Sequence, residues 1–114
     1  MEGGVISDNT TTSSGGGVFM RNSSITMTGG EITGNRASSS GGGVFADGGG
    51  IRKTGGTIFG YTEGDINSNT VMQGIVGGNR GHAVYSSTAY QRRRESTAGP
   101  RVNLDSSTSA NWEN

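Results

Sequence analysis

The sequence predicts an all-β fold, a short right-handed parallel β-helix (solenoid) in which each 26-residue repeat forms one coil of about three strands. Three observations support this: a repeat that keeps its phase, short apolar islands with a period of two, and a glycine-rich composition. Glycine accounts for 23 of 114 residues, and only 28% of the residues are hydrophobic. This composition leaves a disordered linker or a repeat solenoid, since a large apolar core cannot be built.

The phase of the repeat separates these two classes. A sequence offset of 26 aligns 3–19 (GGVISDNTTTSSGGGVF) with 29–45 (GGEITGNRASSSGGGVF), with eleven of seventeen positions identical. The same offset aligns 15–32 with 41–58, with ten of eighteen positions identical. A low-complexity linker keeps its composition but loses its phase, so the repeat predicts a periodic fold.

Each repeat contains three apolar islands, which in the first full repeat lie at 18–20, 25–27 and 31–33. They alternate with a period of two and are too short for helices, so they predict strands that pair between successive coils. The predicted inward ladders are Val18–Val44–Val84, Ile25–Ile51 and Ile6–Ile32–Ile58, with Met20 and Ala46 beside the first of them.

Glycine and asparagine are predicted to form the corners of the coils. The pairs Gly29-Gly30 and Gly55-Gly56 would supply backbone with positive φ. Asn9 and Asn35 fall at equivalent corners, where asparagine tolerates the left-handed region and can hydrogen-bond to the neighbouring coil.

The chain is predicted to be one β-helix domain, residues 1–114. Its coils cover 3–85, with an inserted loop at about 60–78 that leaves the solenoid at a corner. Residues 86–114 lose the period and include a possible strand at 101–104, so they predict a C-terminal cap over the open edge. Because the first residues resemble the last third of a coil, the native protein is expected to continue upstream.

Composition also excludes several function classes. Nine Lys and Arg balance nine Asp and Glu, so no nucleic-acid partner is predicted. The absence of cysteine excludes disulfides, thiolate zinc sites and thiol catalysis. No apolar run approaches the ~18 residues of a membrane-spanning helix, so no transmembrane segment is expected. No signal peptide is predicted after Met1.

Two groups of motifs resemble known proteins. The run GGEITGNRASSSGGGVF resembles the GGxIxGNxAxxxGGGV(F/Y) arrays of bacterial surface proteins predicted to form right-handed β-helices. The later runs GGTIFGYTEGDINSN, GHAVY, RRRESTAGPRVNLDSS and NWE are similar to the closing segment of spirochaete (treponeme-like) surface repeat proteins. This resemblance implies a cell-surface or extracellular location and carries no catalytic motif.

Two groups of residues are candidates for binding a partner. Phe19, Phe45 and Tyr85 alternate out of phase with the valine ladder and predict an outward aromatic row. The row would bind sugar rings or a partner protein, or serve as a ladder that stiffens the sheet. The basic run Arg92-Arg93-Arg94 is either a solvated part of the cap or a contact for an anionic envelope polymer.

No catalytic, cofactor or metal residue is predicted, and the protein is not expected to be an enzyme. The acidic residues are scattered, and only Glu63 and Asp65 lie close in sequence. Residues 65–69 space oxygen ligands as a calcium loop does, but the sixth and twelfth positions are Thr70 and Val76 instead of Gly and Glu. This segment is therefore either a polar loop or a weak calcium site.

Two further residues interrupt the repeat. His82 replaces a glycine of the GGGVF motif and is expected to pack or hydrogen-bond where the solenoid closes. Lys53 replaces the inward Met27 one coil later. Because a buried unpaired ammonium is costly, either this strand end is open to solvent or Glu63 or Asp65 pairs with Lys53.

The sequence therefore predicts a non-enzymatic, surface-associated repeat module for adhesion, recognition or structural display. Its partner would be a host or envelope glycan or protein, and its N-terminal coil could associate edge to edge with another copy. Two alternatives remain, the remnant of a polysaccharide-active (lyase- or hydrolase-like) β-helix and an inert structural spacer.

Overall fold

The computed structural model describes residues 1–48, 51–53, 55–61, 64–72, 82–86, 91–93 and 102–104, and over these ranges the protein is all-β with no helix. The strands are β1 (Val5–Ser7), β2 (Thr10–Thr11), β3 (Val18–Arg21), β4 (Ile25–Met27), β5 (Glu31–Thr33), β6 (Arg36–Ala37), β7 (Val44–Asp47), β8 (Ile51–Lys53), β9 (Thr57–Ile58), β10 (Thr70–Val71), β11 (Val84–Ser86), β12 (Gln91–Arg93) and β13 (Val102–Leu104).

The strands form four sheets, and each sheet collects equivalent strands of successive repeats. Their orders are β1-β5-β9, β2-β6-β10, β3-β7-β11-β12 and β4-β8-β13. All pairings among the strands β1 to β11 are parallel. The strand β12 pairs antiparallel with β11, and β13 pairs antiparallel with β8. The all-β prediction and the parallel pairing of equivalent strands are confirmed.

The predicted number of three strands per repeat was one too few. The additional strands are β2, β6 and β10, and each has only two residues. Two residues cannot show a period-two pattern, so the hydrophobic periodicity gave no signal for them. They follow the asparagine of each repeat, and their pairing is therefore linked to the asparagine side chains described below.

The inward ladders lie in the predicted register. Val44 is the partner of both Val18 and Val84. Ile32 is the partner of both Ile6 and Ile58. The third ladder pairs Ile25 with Ile51 in the same way. Like side chains stack directly on each other, and their packing forms a narrow core that also contains Met20, Met27, Ala46 and Ala83. Few large residues are needed to fill it, in agreement with the low hydrophobic content.

Lys53 belongs to this interior, because its side chain is 1% exposed and it is the register partner of Met27. The alternative of a strand end open to solvent was therefore wrong. Asp65 is exposed, and its carboxylate accepts a hydrogen bond from the backbone N–H of Asn67. Pairing of Lys53 with Glu63 stays a prediction, since Glu63 lies outside the described residues.

The insertion in the third repeat is divided by a strand. Thr70 pairs with Arg36 at a sequence offset of 34, and Val84 pairs with Val44 at an offset of 40. Both offsets exceed the repeat length of 26, and the second exceeds the first. The chain therefore gains residues before β10 and again between β10 and β11. The strand β10 lies inside the predicted loop at 60–78 and pairs there with β6.

The corner prediction was right for the positive φ of the glycine pairs and for the hydrogen bonds of the asparagines to neighbouring repeats, and wrong only for a left-handed backbone at the asparagines. Gly30 and Gly56 have positive φ angles of 85° and 76°. Among the non-glycine residues that are described, positive φ occurs at Asp8 and Asn22, and neither Asn9 nor Asn35 has it. The latter two side chains instead hydrogen-bond between neighbouring repeats, which ordinary backbone geometry permits.

Candidate functional site

The aromatic row consists of Phe19, Phe45 and Tyr85, which are register partners on β3, β7 and β11. The ring centroids of Phe19 and Phe45 lie 5.2 Å apart, and those of Phe45 and Tyr85 lie 5.4 Å apart. Both pairs are stacked with an interplanar angle of 10°. The parallel register causes this stacking, because it places equivalent side chains of successive repeats above one another.

The exposed parts of these rings are mainly their edges. Both faces of the Phe45 ring are opposite another ring of the row, and Phe45 and Tyr85 are half-buried. Phe19 ends the row, keeps one face without a ring neighbour among the described residues and is 50% exposed. The edge of an aromatic ring carries partial positive charge, so the row presents edges that favour electron-rich groups of a partner.

A charged pair lies on the same face of the sheet, since residues two apart on a strand point to the same side. Arg21 follows Phe19 by two residues, and Asp47 follows Phe45 by two residues. The Arg21 Nε donates to Asp47 Oδ2 over 3.2 Å, and the side chains are 70% and 40% exposed, respectively. An exposed pair of this kind contributes ~0–1 kcal/mol to stability, so its main effect is to give the face a polar border.

The structure brings the second predicted group close to the first. Arg92 and Arg93 lie on β12, where Arg92 is the register partner of Tyr85 and Arg93 that of Val84. Arg92 therefore occupies the next register position in this sheet after Phe19, Phe45 and Tyr85. Arg94 lies outside the described residues, and its predicted contact with a polymer stays a prediction.

An asparagine ladder, formed by Asn9, Asn35 and Asn69, crosses the three repeats. The Oδ1 of Asn35 accepts hydrogen bonds from the backbone N–H and the Nδ2 of Asn9, at 3.1 and 3.0 Å. The Oδ1 of Asn69 accepts the same two bonds from Asn35, at 2.9 and 3.0 Å. The Nδ2 of Asn35 also donates to the carbonyl of Ile6, and that of Asn69 to the carbonyl of Ile32.

Sequence comparison did not identify Asn69 as a member of this ladder. Its offset from Asn35 is 34 instead of 26, because the insertion precedes it. The periodicity gave no signal for it either, because Asn35 and Asn69 each directly precede a two-residue strand that the sequence does not reveal. Asn35 and Asn69 are fully buried and every amide group in them is satisfied, so the ladder is a structural element.

His82 closes the edge of one sheet. Its side chain is 2% exposed, its Nδ1 accepts the backbone N–H of Val71 over 2.9 Å, and its ring packs on that of Tyr61. Val71 lies on β10, the last strand of its sheet, so the imidazole supplies an acceptor where a further strand would otherwise pair. His82 packs and hydrogen-bonds as expected, and closure of a solenoid at this point stays a prediction.

Replacing His82 with phenylalanine is expected to lower the free energy of unfolding by about 2 kcal/mol, because the buried N–H of Val71 loses its acceptor. The ring volume is kept, which separates loss of the hydrogen bond from loss of packing. Urea denaturation followed by circular dichroism measures the change. An unchanged midpoint would show that the hydrogen bond contributes nothing, and Tyr85→Phe serves as a ring control on an exposed face.

The described part of the chain contains no group of three or more His, Cys, Asp or Glu residues that could hold a metal ion. In the calcium-like segment, the Asp65 carboxylate closes a local turn with Asn67, and Ile66 between them is exposed. One carboxylate oxygen of Asp65 thus accepts a hydrogen bond from the backbone of its own turn, and calcium binding by this segment stays untested.

Within the same described ranges, no helix is long and apolar enough to cross a membrane. Comparisons of the chain with protein-family models, with curated proteins and with solved structures found no significant match.

Proposed function

We propose that this protein is a non-enzymatic recognition module, in which a right-handed parallel β-helix presents the aromatic row to a partner outside the cell. The observation that carries the proposal is the stacked row itself, with Phe19 half exposed at one end of it. Large aromatic side chains on a fixed surface supply contact area at low cost in conformational entropy.

The right-handed winding is proposed from the connections between strands. Equivalent strands of successive repeats pair in parallel, so each repeat must return to the same side of its sheet before the next pairing. Crossover connections between parallel strands of one sheet are right-handed in the great majority of proteins. A winding of this kind would hold the rings of the row at a fixed spacing along one axis.

The geometry of the row favours an extended partner. The rings repeat at 5.2 and 5.4 Å, so a linear polymer whose units repeat on this scale would place an equivalent group at each ring edge. Sugar hydroxyl oxygens and peptide carbonyls are electron-rich groups that suit these edges. The Arg21–Asp47 pair at the border of the row offers both a donor and an acceptor to such a chain.

The location outside the cell rests on the resemblance of the repeat GGEITGNRASSSGGGVF to bacterial surface proteins. Two alternative functions are kept because they make different predictions. A polysaccharide-active remnant would release sugar from a polymer, and an inert spacer would bind no partner through the row.

Binding to a panel of immobilised glycans and envelope polymers tests the proposal. The variant with threonine at Phe19, Phe45 and Tyr85 is expected to bind at least about tenfold more weakly than the wild type, since interface aromatics contribute ~1.4 kcal/mol or more. Threonine keeps the strand propensity, and the variant's circular dichroism spectrum shows whether the sheets persist.

Val5→Thr is the matched control, because Val5 is an exposed apolar residue on a different sheet, 61% exposed. It should bind as the wild type does. Equal binding by the wild type and the triple variant, or no binding to any polymer, would contradict the proposal and favour the spacer. Release of reducing sugar that Asp65→Asn abolishes would favour the enzymatic remnant.

A further inference from the structure

The N-terminal edge of the molecule is formed by β1, β2, β3 and β4, and each of them is the terminal strand of its sheet. We propose that this edge is a docking surface for one further repeat of the same length, stacked in parallel and joined directly to Met1. The proposal goes beyond recognition by the aromatic row and is tested by stability, so the two can fail independently.

The core ladders are incomplete at this edge. Val44, Ile32 and Ile51 are fully buried, because a repeat lies on each side of Val44 and Ile32 and β13 follows Ile51. Their partners on the N-terminal edge, Val18, Ile6 and Ile25, are only partly buried. Another repeat would remove the remaining apolar surface of these three side chains from water.

The asparagine ladder is also open at this edge. Asn35 and Asn69 each accept two hydrogen bonds from the asparagine of the preceding repeat and donate one to a carbonyl of that repeat. No described residue donates to the Oδ1 of Asn9, and its Nδ2 turns to the carbonyl of Ser7 in its own repeat. A preceding repeat would supply both the donors and the carbonyl that the ladder uses elsewhere.

Gly3 gives an independent indication of the same occupant. A Cβ on Gly29 would collide with the carbonyl oxygen of Glu2, and one on Gly55 would collide with that of Thr28. Close approach of the preceding repeat therefore explains glycine at both positions. Gly3 is their equivalent one repeat earlier, its φ is not positive, and nothing lies within 4 Å of a Cβ placed there. The sequence thus keeps a glycine that only a stacked repeat would require.

The geometry of Met1 favours a directly joined repeat. Met1 stands one repeat length before Met27 and packs against the core, and its carbonyl accepts the N–H of Thr28 at 2.8 Å. Thr26 is joined directly to Met27, the equivalent of Met1, without a linker. The last residue of a preceding repeat would therefore be joined directly to Met1. To stack in parallel, a second copy would have to offer its opposite edge, where β12 and β13 already pair antiparallel in two sheets.

Duplication of residues 1–26 ahead of Met1 tests the proposal and keeps the phase. The extended chain is expected to unfold at a Tm at least about 4 °C higher than the original chain, because the open ladders become covered. Differential scanning calorimetry measures both. An unchanged or lower Tm would overturn the proposal.

Gly3→Ala distinguishes a repeat that packs against the N-terminal edge from one that is attached to the chain but makes no contact with this edge. It is expected to shift the Tm of the original chain by less than about 2 °C, and to lower that of the extended chain by about 4 °C or more. Gly29→Ala is the matched control and should lower the Tm in both chains. Equal, small effects of Gly3→Ala in both chains would show that the added repeat does not stack.

Light scattering tests the competing occupant, a second copy of the chain. The original chain is expected to remain monomeric, and the extended chain likewise. Concentration-dependent dimers of the original chain would show that a second copy occupies the edge, which would overturn the proposal.

Discussion

Replacing Asn35 with alanine is expected to lower the free energy of unfolding by about 3 kcal/mol, because its amide joins all three repeats. The Asn35 side chain is fully buried, and its Nδ2 donates both to the carbonyl of Ile6 and to the Oδ1 of Asn69. Alanine leaves that carbonyl and the N–H of Asn9 without their partners. Urea denaturation followed by circular dichroism measures the loss.

Asn9→Ala is the matched control, because Asn9 ends the same ladder at an exposed position. Its removal leaves the Oδ1 of Asn35 with one of its two donors, so the loss should stay below about 1 kcal/mol. Equal losses for the two variants would contradict the view that burial gives Asn35 its importance. Asn35→Asp adds a second test, since it keeps the shape but replaces the donor with an acceptor, and it should destabilise at least as much as alanine.

Replacing Ile32 with alanine is expected to cost about 3–4 kcal/mol, since the substitution removes three methyl or methylene groups from a fully enclosed site. Ile32 is the middle member of its ladder, with Ile6 on one side and Ile58 on the other. Both neighbours are fixed by their own strands, so the structure can collapse only partly into the cavity. Chemical denaturation measures the difference in unfolding free energy.

Val5→Ala is the control for this prediction. Val5 precedes Ile6 on β1, and its side chain is 61% exposed, on the side of the strand away from the core. Its loss should change stability by less than about 0.5 kcal/mol. A small effect of Ile32→Ala, comparable with that of Val5→Ala, would contradict the stacked core.

Much of the fold could be predicted because the repeat period fixes the register. Once the offset of 26 is known, Val18 follows by counting as a partner of Val44. Ile6 and Ile58 follow as the partners of Ile32, and the structure has them all in that register. Val84 lies 40 residues after Val44 and was placed by the likeness of GHAVY to GGGVF. The outward stacking of Phe45 on Phe19 follows from the same count and from the alternation of side chains along a strand.

The parts that could not be predicted depend on contacts that the period does not encode. The strands β2, β6 and β10 were missed because two residues show no periodicity, and the insertion further moves β10 away from one repeat length after β6. The repeat placed Lys53 at an inward position, but the usual preference of lysine for the surface left its burial as one of two alternatives. The sequence predicted that His82 packs or hydrogen-bonds, but not with which group. Its partner is the N–H of Val71, which is available because β10 is the last strand of its sheet.

The sequence left two interpretations of the aromatic row open, a surface for sugars or a partner protein and a ladder that stiffens the sheet. The parallel register turns the ring faces toward each other, as in a ladder. The sequence placed the arginine run in the C-terminal cap without a partner, and the antiparallel pairing of β12 puts Arg92 beside Tyr85 in the sheet. Antiparallel pairing of this kind joins segments that are not related by the repeat, so the repeat period cannot predict it.

The divided insertion has a consequence for how this architecture accommodates new sequence. Before and after β10 the third repeat is longer than its predecessors, yet β10 and β11 pair with β6 and β7 as their counterparts do. The number of residues before and after β10 is thus uncoupled from strand alignment. The molecule has two adjacent sites at which foreign peptides could be grafted, with the stability of the scaffold supplied elsewhere by its ladders.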